Sequence, residues 1–100
     1  MKFNIGKFKL SEKSSTFIVA ELSGNHDGSL KRALKLIEQA KKAGANAIKL
    51  QTYKADTITL KSNNNDFKIN VGSPWKKFKN YWSLYNFAYT PWSWHKILFK

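Results

Sequence analysis

The chain has 100 residues, a formal net charge of +12 and no cysteine, so it is one domain or part of one and holds no disulfide. Its 42% hydrophobic and 15% aromatic residues are too many for intrinsic disorder, and no apolar run reaches the roughly 20 residues that span a membrane. Residues 1–10 alternate apolar residues with lysine and lack an apolar signal-peptide core, so we expect a cytoplasmic protein that does not bind membranes.

The positive charge comes from lysine, because all but one of the 18 basic residues are lysines spread along the chain, and Arg32 is the exception. Base recognition favours the planar fork of arginine, so the pattern favours a solvated basic surface, and we expect no nucleic-acid partner. A basic, aromatic nucleic-acid-binding module is the alternative by composition, and salt-sensitive oligonucleotide binding would reveal it. A non-catalytic remnant is the other alternative.

The first half of the chain predicts a hairpin followed by a strand–helix–strand unit. Alternating apolar residues around Gly6 predict a short β-hairpin over about residues 3–10. The apolar run 17–22 predicts a buried strand, the helical apolar period from Leu30 predicts a helix of about fourteen residues, and 46–52 predict a second buried strand. The βαβ unit therefore covers about residues 17–52, and its short connections place the strands parallel and adjacent, which makes the class α/β.

The second half predicts a long connection and then helical structure. Residues 54–80 are polar, rich in asparagine and punctuated by glycine and proline, which is typical of a functional loop with short structured pieces. The aromatic-rich residues 82–100 predict part of a second helix, which Pro91 divides and which continues to the last residue. The aromatic spacing of Trp82, Tyr85 and Tyr89 predicts a helix face packed into a core.

One face of the two predicted strands carries polar side chains near the strands' carboxyl ends. The two-residue period places Glu21 on one face of the first strand, and Lys49 and Gln51 on one face of the second. In parallel α/β folds the carboxyl ends of the strands build the active site. A structural ion pair that fills the interior is the alternative, although buried charge pairs contribute little net stability, which favours a functional role.

The loop after the first strand contains a histidine. His26 is a candidate acid, base or ligand, but no second histidine, cysteine or glutamate lies at ligand spacing, so it is a weak metal signal. Asp27 and Gly28 are expected to shape the loop. His95 lies among aromatic residues and is expected to be structural.

Two segments together resemble a known family. FIVAELSGNHDGS over residues 17–29 and AGANAIKLQTY over 43–53 resemble the start of the sialic-acid synthase family, whose members condense phosphoenolpyruvate with an N-acyl amino sugar. AELS at 20–23, ADTITL at 55–60 and YTPWSWH at 89–95 most resemble the pseudaminic acid branch of that family, rather than the N-acetylneuraminate or legionaminate branches.

The resemblance covers residues 3–100 and implies the N-terminal portion of a (β/α)8 TIM barrel preceded by a short hairpin. The sequence departs from the family pattern over 74–82, where lysines and aromatic residues replace a glycine-containing segment. The resemblance further implies a homodimer and a divalent metal, Mn or Mg, whose ligands lie outside this chain, so that no residue here is assigned to metal binding. A fragment of this length is expected to be inactive alone.

The resemblance also implies roles for individual residues. The family reaction joins phosphoenolpyruvate to an amino sugar of the 2,4-diacetamido-2,4,6-trideoxy-altrose type, giving a nonulosonic acid and phosphate. Glu21 is then the catalytic carboxylate, Lys49 the cation that binds phosphoenolpyruvate, and Gln51 a polar substrate contact. Three further residues are expected to contact substrate: Asn25, His26 and Tyr53.

Overall fold

The chain begins with a two-stranded antiparallel hairpin. In the computed structural model, which describes residues 1–100, β1 (Lys2–Ile5) pairs with β2 (Phe8–Ser11). Gly6 has a φ of +54° in the turn, a backbone conformation that glycine adopts without steric cost. The hairpin lies at the place that the alternating sequence pattern predicts. Phe8 attaches it to the following segment through an edge-on contact with Phe17, with ring centroids 5.2 Å apart.

A parallel strand–helix–strand unit follows. It consists of β3 (Val19–Glu21), α1 (Leu30–Lys42) and β4 (Ala47–Lys49). The two strands are parallel neighbours in one sheet, and their register pairs Val19 with Ala47 and Glu21 with Lys49. The βαβ unit thus has the topology predicted for it, and the observed class is α/β. The two C-terminal strand residues, Glu21 and Lys49, lie side by side.

Local sequence sets the limits of α1. The Ser29 side chain accepts a hydrogen bond from the Arg32 backbone N–H at 3.2 Å and caps the first turn. Lys41 and Lys42 in the last turn interact favourably with the negative end of the helix dipole. Gly44, with a φ of +94°, then reverses the chain toward β4.

The polar connection over 54–80 contains two short 3-10 turns, Ala55–Thr57 and Asn65–Phe67. An isolated antiparallel bridge between Lys68 and Asn80 closes its second half. Asn80 also caps the next helix, because its side chain accepts from the Ser83 backbone N–H at 2.9 Å. This connection is therefore an ordered excursion held at its end by a capped helix.

The C-terminal region is not one continuing helix. As predicted, Pro91 divides it: α2 (Tyr81–Ala88) ends before the proline, and a 3-10 turn at Trp92–Trp94 and α3 (His95–Leu98) follow it. The prediction that the second helix continues to the last residue is wrong, because α3 ends at Leu98. Pro91 explains the break, since proline has no backbone N–H and disfavours helical geometry in the residue before it. No helix in the structure has the length or the apolar run that crossing a bilayer requires.

The chain has an open architecture with a small core. Only six of its 100 residues are buried, among them Leu22, Ala33 and Leu84. Its accessible surface is 7932 Å², against about 5800 Å² for a compact protein of this mass. The expectation of two buried strands is wrong for this chain, because Ile18 and Val19 are about half exposed. Helix α1 packs against β4.

Candidate functional site

The centre of the candidate site is an ion pair at the ends of the two parallel strands. The Lys49 Nζ lies 2.7 Å from the Glu21 Oε1, and both side chains are more than half exposed. Their neighbours of opposite parity, Ala20 and Ile48, line a shallow depression beside α1, and Glu21 borders the same depression. The two charges therefore lie together at the strand ends, where both side chains are open to solvent.

Gln51 follows β4 and is fixed through its backbone. Its N–H donates to the Thr90 Oγ1 at 3.3 Å, and the Thr90 N–H donates to the Gln51 carbonyl at 2.8 Å. Thr90 is completely buried, and it directly precedes Pro91. The C-terminal region thus clamps the chain just after β4. Sequence reasoning missed Thr90, although a hydroxyl residue before a proline that ends a helix is a visible signal of a constrained position.

A cavity of about 320 Å³ opens beyond the carboxyl ends of the strands, and we call it the end cavity. Residues that follow the two strands line it together with residues of the connection and α2, and four of the lining residues are aromatic. Its lining residues are Ser23, Gly24, Gln51, Tyr53, Trp75, Tyr81, Leu84, Tyr85 and Ala88. A small cavity with an apolar wall and a few polar groups is typical of a small-molecule site.

A second depression of about 450 Å³, the side groove, lies on the other side of Tyr53 and includes Trp82, Tyr89 and Trp92. The prediction that Trp82, Tyr85 and Tyr89 form a core-packed face is corrected here, since the buried residue of α2 is Leu84. The helix turns Leu84 inward and leaves Trp82 and Tyr89 on the groove.

Tyr53 lies between the two openings. Its ring meets Tyr85 edge-on, with centroids 5.8 Å apart. Burial, and after it the neighbouring Tyr85, raises the pKa of the Tyr53 hydroxyl. Tyr53 is therefore a neutral hydrogen-bonding group at neutral pH.

The loop after β3 is held by a buried histidine. The His26 ring is 0% exposed, its Nδ1 accepts from the Gly28 backbone N–H at 3.1 Å, and it packs edge-on against Trp94 at 5.1 Å between centroids. Its Nε2 has no hydrogen-bond partner. Asp27 and Gly28 have φ values of +49° and +72°, so they do shape this loop. His26 offers no exposed atom to a ligand, whereas Asn25 is exposed and lies in the depression beside Glu21.

Acid is expected to destabilise the chain through His26. Burial lowers the pKa of the His26 imidazole from its ordinary 6.5, and the Ala88 carbonyl and the Asp27 carboxylate oppose this only in part. The unfolded chain therefore binds a proton before the folded chain does, so stability is constant above about pH 6.5 and falls below it. Protonation also turns Nδ1 into a donor, which removes its bond with Gly28. Urea unfolding of the chain between pH 7.5 and 5.5 measures this slope.

The matched variants for that measurement are His26→Gln and His95→Gln. His26→Gln should flatten the dependence of the free energy of unfolding on pH. His95→Gln should leave that dependence unchanged, because His95 lies outside the loop after β3, with its Nε2 2.7 Å from the Thr52 Oγ1. The other charge facing the loop is Lys77, which lies 3.5 Å from the Asp27 carboxylate. An unchanged slope in His26→Gln would assign the acid sensitivity to other groups.

Gly24 allows the loop to approach α2. A Cβ at this position would lie 3.0 Å from the Ala88 Cβ and 3.2 Å from its carbonyl oxygen. We therefore expect Gly24→Ala to lower the free energy of unfolding by about 1–3 kcal/mol, the usual cost of overpacking. Gly72→Ala is the control, because a Cβ there has nothing within 4 Å. Equal urea midpoints for the two variants would contradict the close approach.

The side chains of this chain do not form a metal site. No group of three or more histidine, cysteine, aspartate or glutamate residues is placed to hold an ion. His26 is enclosed by its loop and Trp94, and His95 stacks against Trp92. Neither histidine is therefore available as a ligand in this arrangement.

Comparison with known proteins identifies the family of this chain. The sequence profile of the NeuB family matches residues 36–100, which include β4, Gln51, Tyr53 and α2. The chain belongs to the NeuB family. The NeuB match thus covers Lys49 and all the aromatic residues that line the end cavity.

Individual proteins are also similar to this chain. The pseudaminic acid synthase of Campylobacter jejuni is 53% identical over 96 residues, which are 96% of this chain and 27% of that protein. That of Helicobacter pylori is 43% identical over 83 residues, or 83% of this chain and 24% of that protein. The N,N'-diacetyllegionaminic acid synthase of Legionella pneumophila is 50% identical over 46 residues, 46% of this chain and 13% of that protein. The chain spans about a quarter of the length of the first two relatives.

Proposed function

We propose that this chain forms the N-terminal part of a (β/α)8 barrel that condenses phosphoenolpyruvate with an N-acyl amino sugar. The sugar is of the 2,4-diacetamido-2,4,6-trideoxy-altrose type, and the products are pseudaminic acid and phosphate. The observation that carries the proposal is the Glu21–Lys49 pair at the ends of two parallel strands, two residues before Ser23 and Gln51 of the end-cavity lining. The names of the Campylobacter and Helicobacter relatives support this choice of product over legionaminate or N-acetylneuraminate.

The proposed chemistry assigns charge stabilisation to Lys49. A bond forms between C3 of phosphoenolpyruvate and the aldehyde carbon of the open-chain sugar, whose oxygen gains a proton. Water then adds at C2, and phosphate leaves as the 2-keto group forms. Lys49 places a cation at the mouth of the strands, where it neutralises the phosphate or carboxylate of phosphoenolpyruvate.

Glu21 is proposed to accept or to position a proton in this reaction. Its carboxylate lies at the same strand end, and it accepts the proton that water loses at C2 or orients a sugar hydroxyl. Gln51, Asn25 and Tyr53 supply the polar substrate contacts. His26 is left out of this proposed set, because its ring is fully buried.

We also propose that the enzyme is a homodimer in the cytoplasm. Residues outside this chain would hold a divalent metal, Mn or Mg. When bound, that metal would polarise the aldehyde of the open-chain sugar.

A chimera tests the proposal. In it, this chain replaces the segment that it matches in the Campylobacter jejuni relative, a replacement aided by 53% identity. The chimera should release phosphate from phosphoenolpyruvate only when the amino sugar is present. The 100-residue chain alone should release none. A soluble, folded chimera without sugar-dependent phosphate release would overturn the proposed function.

A further inference from the structure

We propose that Trp75 and Tyr81 form a specificity wall in the end cavity, which selects an amino sugar with a C6 methyl and a C4 acetamido group. This inference rests on the proposed function, and it identifies the residues that distinguish such a sugar from one with hydroxyl groups at those carbons. Neither residue belongs to the motifs that carry the family resemblance, and Trp75 lies where the sequence departs from the family pattern.

The first support is the mixed chemistry of the cavity lining. Gln51 and Ser23, which follow the strands, belong to residue types whose amides and hydroxyls bind the polar groups of a sugar. Trp75, Tyr81 and Tyr85, from the connection and α2, add aromatic rings to the same lining. A ligand that fills the cavity therefore meets both polar groups and aromatic rings. A 2,4-diacetamido-2,4,6-trideoxy sugar suits both, because its hydroxyls and amides alternate with three methyl groups.

The second support is that the wall is built in advance. The Tyr81 and Tyr85 rings stack at 6.1 Å with 21° between their planes, and Tyr85 is in turn fixed edge-on against Tyr53. The turn around Trp75 is closed by its own N–H to the Ser73 Oγ at 3.2 Å and by the Phe78 N–H to the Trp75 carbonyl at 2.9 Å. Ligand binding therefore costs these residues little conformational entropy, which favours affinity.

The third support is the exposed apolar surface of the specificity wall. Trp75 is 47% exposed and Tyr81 is 37% exposed, so both rings keep apolar surface open to a ligand. Methyl groups would cover the faces of these rings without losing hydrogen bonds, whereas a hydroxymethyl group placed on a ring face would lose hydrogen bonds to water. Aromatic surface left open at the edge of a polar site thus favours a deoxy sugar.

The test uses the chimera with the trideoxy sugar as substrate and N-acetylmannosamine as competitor. Trp75→Ala should raise the KM for the sugar roughly 10-fold, leave the KM for phosphoenolpyruvate unchanged, and reduce the preference for the trideoxy sugar. Tyr81→Ala should act in the same direction, and Trp75→Phe should retain most of the preference. Trp92→Ala is the matched control, since Trp92 is exposed but lines the side groove.

Saturation-transfer NMR on the same proteins gives a readout that needs no turnover. The acetamido and C6 methyl protons should receive saturation from the chimera and lose most of it in Trp75→Ala. A Trp75→Ala chimera with the parent's sugar preference and methyl signals would overturn the specificity wall while leaving the proposed function intact. Failure of the proposed function looks different, because the unsubstituted chimera would then turn over no sugar.

Discussion

Glu21→Gln in the chimera is expected to lower kcat by roughly 10²- to 10⁴-fold, the usual loss when a proton-transferring group is removed. Glutamine keeps the size of the side chain and its ability to accept a hydrogen bond from Lys49, but it takes up no proton at neutral pH. The KM values should change far less, because the carboxylate acts mainly in the transition state. Steady-state rates with each substrate varied in turn measure both effects.

Glu38→Gln is the matched control for that experiment. Glu38 also forms an exposed ion pair, with Lys42 on α1, but it lies on the helix rather than at a strand end. Its substitution should leave kcat unchanged. A Glu21→Gln enzyme with a nearly normal kcat would remove Glu21 from the proposed mechanism and leave the ion pair with a structural role.

Lys49→Met should chiefly weaken the binding of phosphoenolpyruvate, with a rise of roughly 10- to 100-fold in its KM, as expected for loss of a hydrogen bond to a charged group. Methionine keeps the unbranched length of the side chain without the charge. The ammonium meets the anionic substrate in the ground state and the transition state alike, so its loss appears mostly in KM. The KM for the sugar should move much less.

Lys42→Met provides the comparison for Lys49, because it removes the same charge from the other exposed pair. Neither substitution should alter folding much, since an exposed ion pair is worth about 0–1 kcal/mol. Unfolding measurements therefore separate a kinetic effect from a loss of structure. Equal rises in both KM values for Lys49→Met would argue against a cation dedicated to phosphoenolpyruvate.

The sequence predicted the βαβ unit and its polar face because both depend on short-range rules. Two strands joined by a helix through short loops are constrained to lie parallel, and a two-residue period decides which side chains share a face. Glu21 and Lys49 therefore met as predicted, 2.7 Å apart. The burial of the strands was overpredicted, because an apolar run shows that a strand can be buried but does not show which element buries it.

The end cavity could not be predicted from the sequence, because it depends on the path of the long connection. That path is set by contacts between distant positions, such as the Asn80 side chain donating to the Ser62 carbonyl at 3.3 Å. No periodicity marks Trp75, which reaches the cavity from a loop. The helix break at Pro91 was predicted, but the end of α3 at Leu98 was not, since no capping residue announces it.

The parallel strand pair consists of two strands only, so each keeps one edge whose backbone N–H and C=O groups face solvent without a strand partner. Such edges are templates for pairing between molecules, and the half-exposed Ile18 and Val19 add apolar surface beside them. The net charge of +12 opposes that association by mutual repulsion. Colloidal stability of this chain is therefore electrostatic in origin, and added salt, by shortening the range of the repulsion, should promote self-assembly through the strand edges.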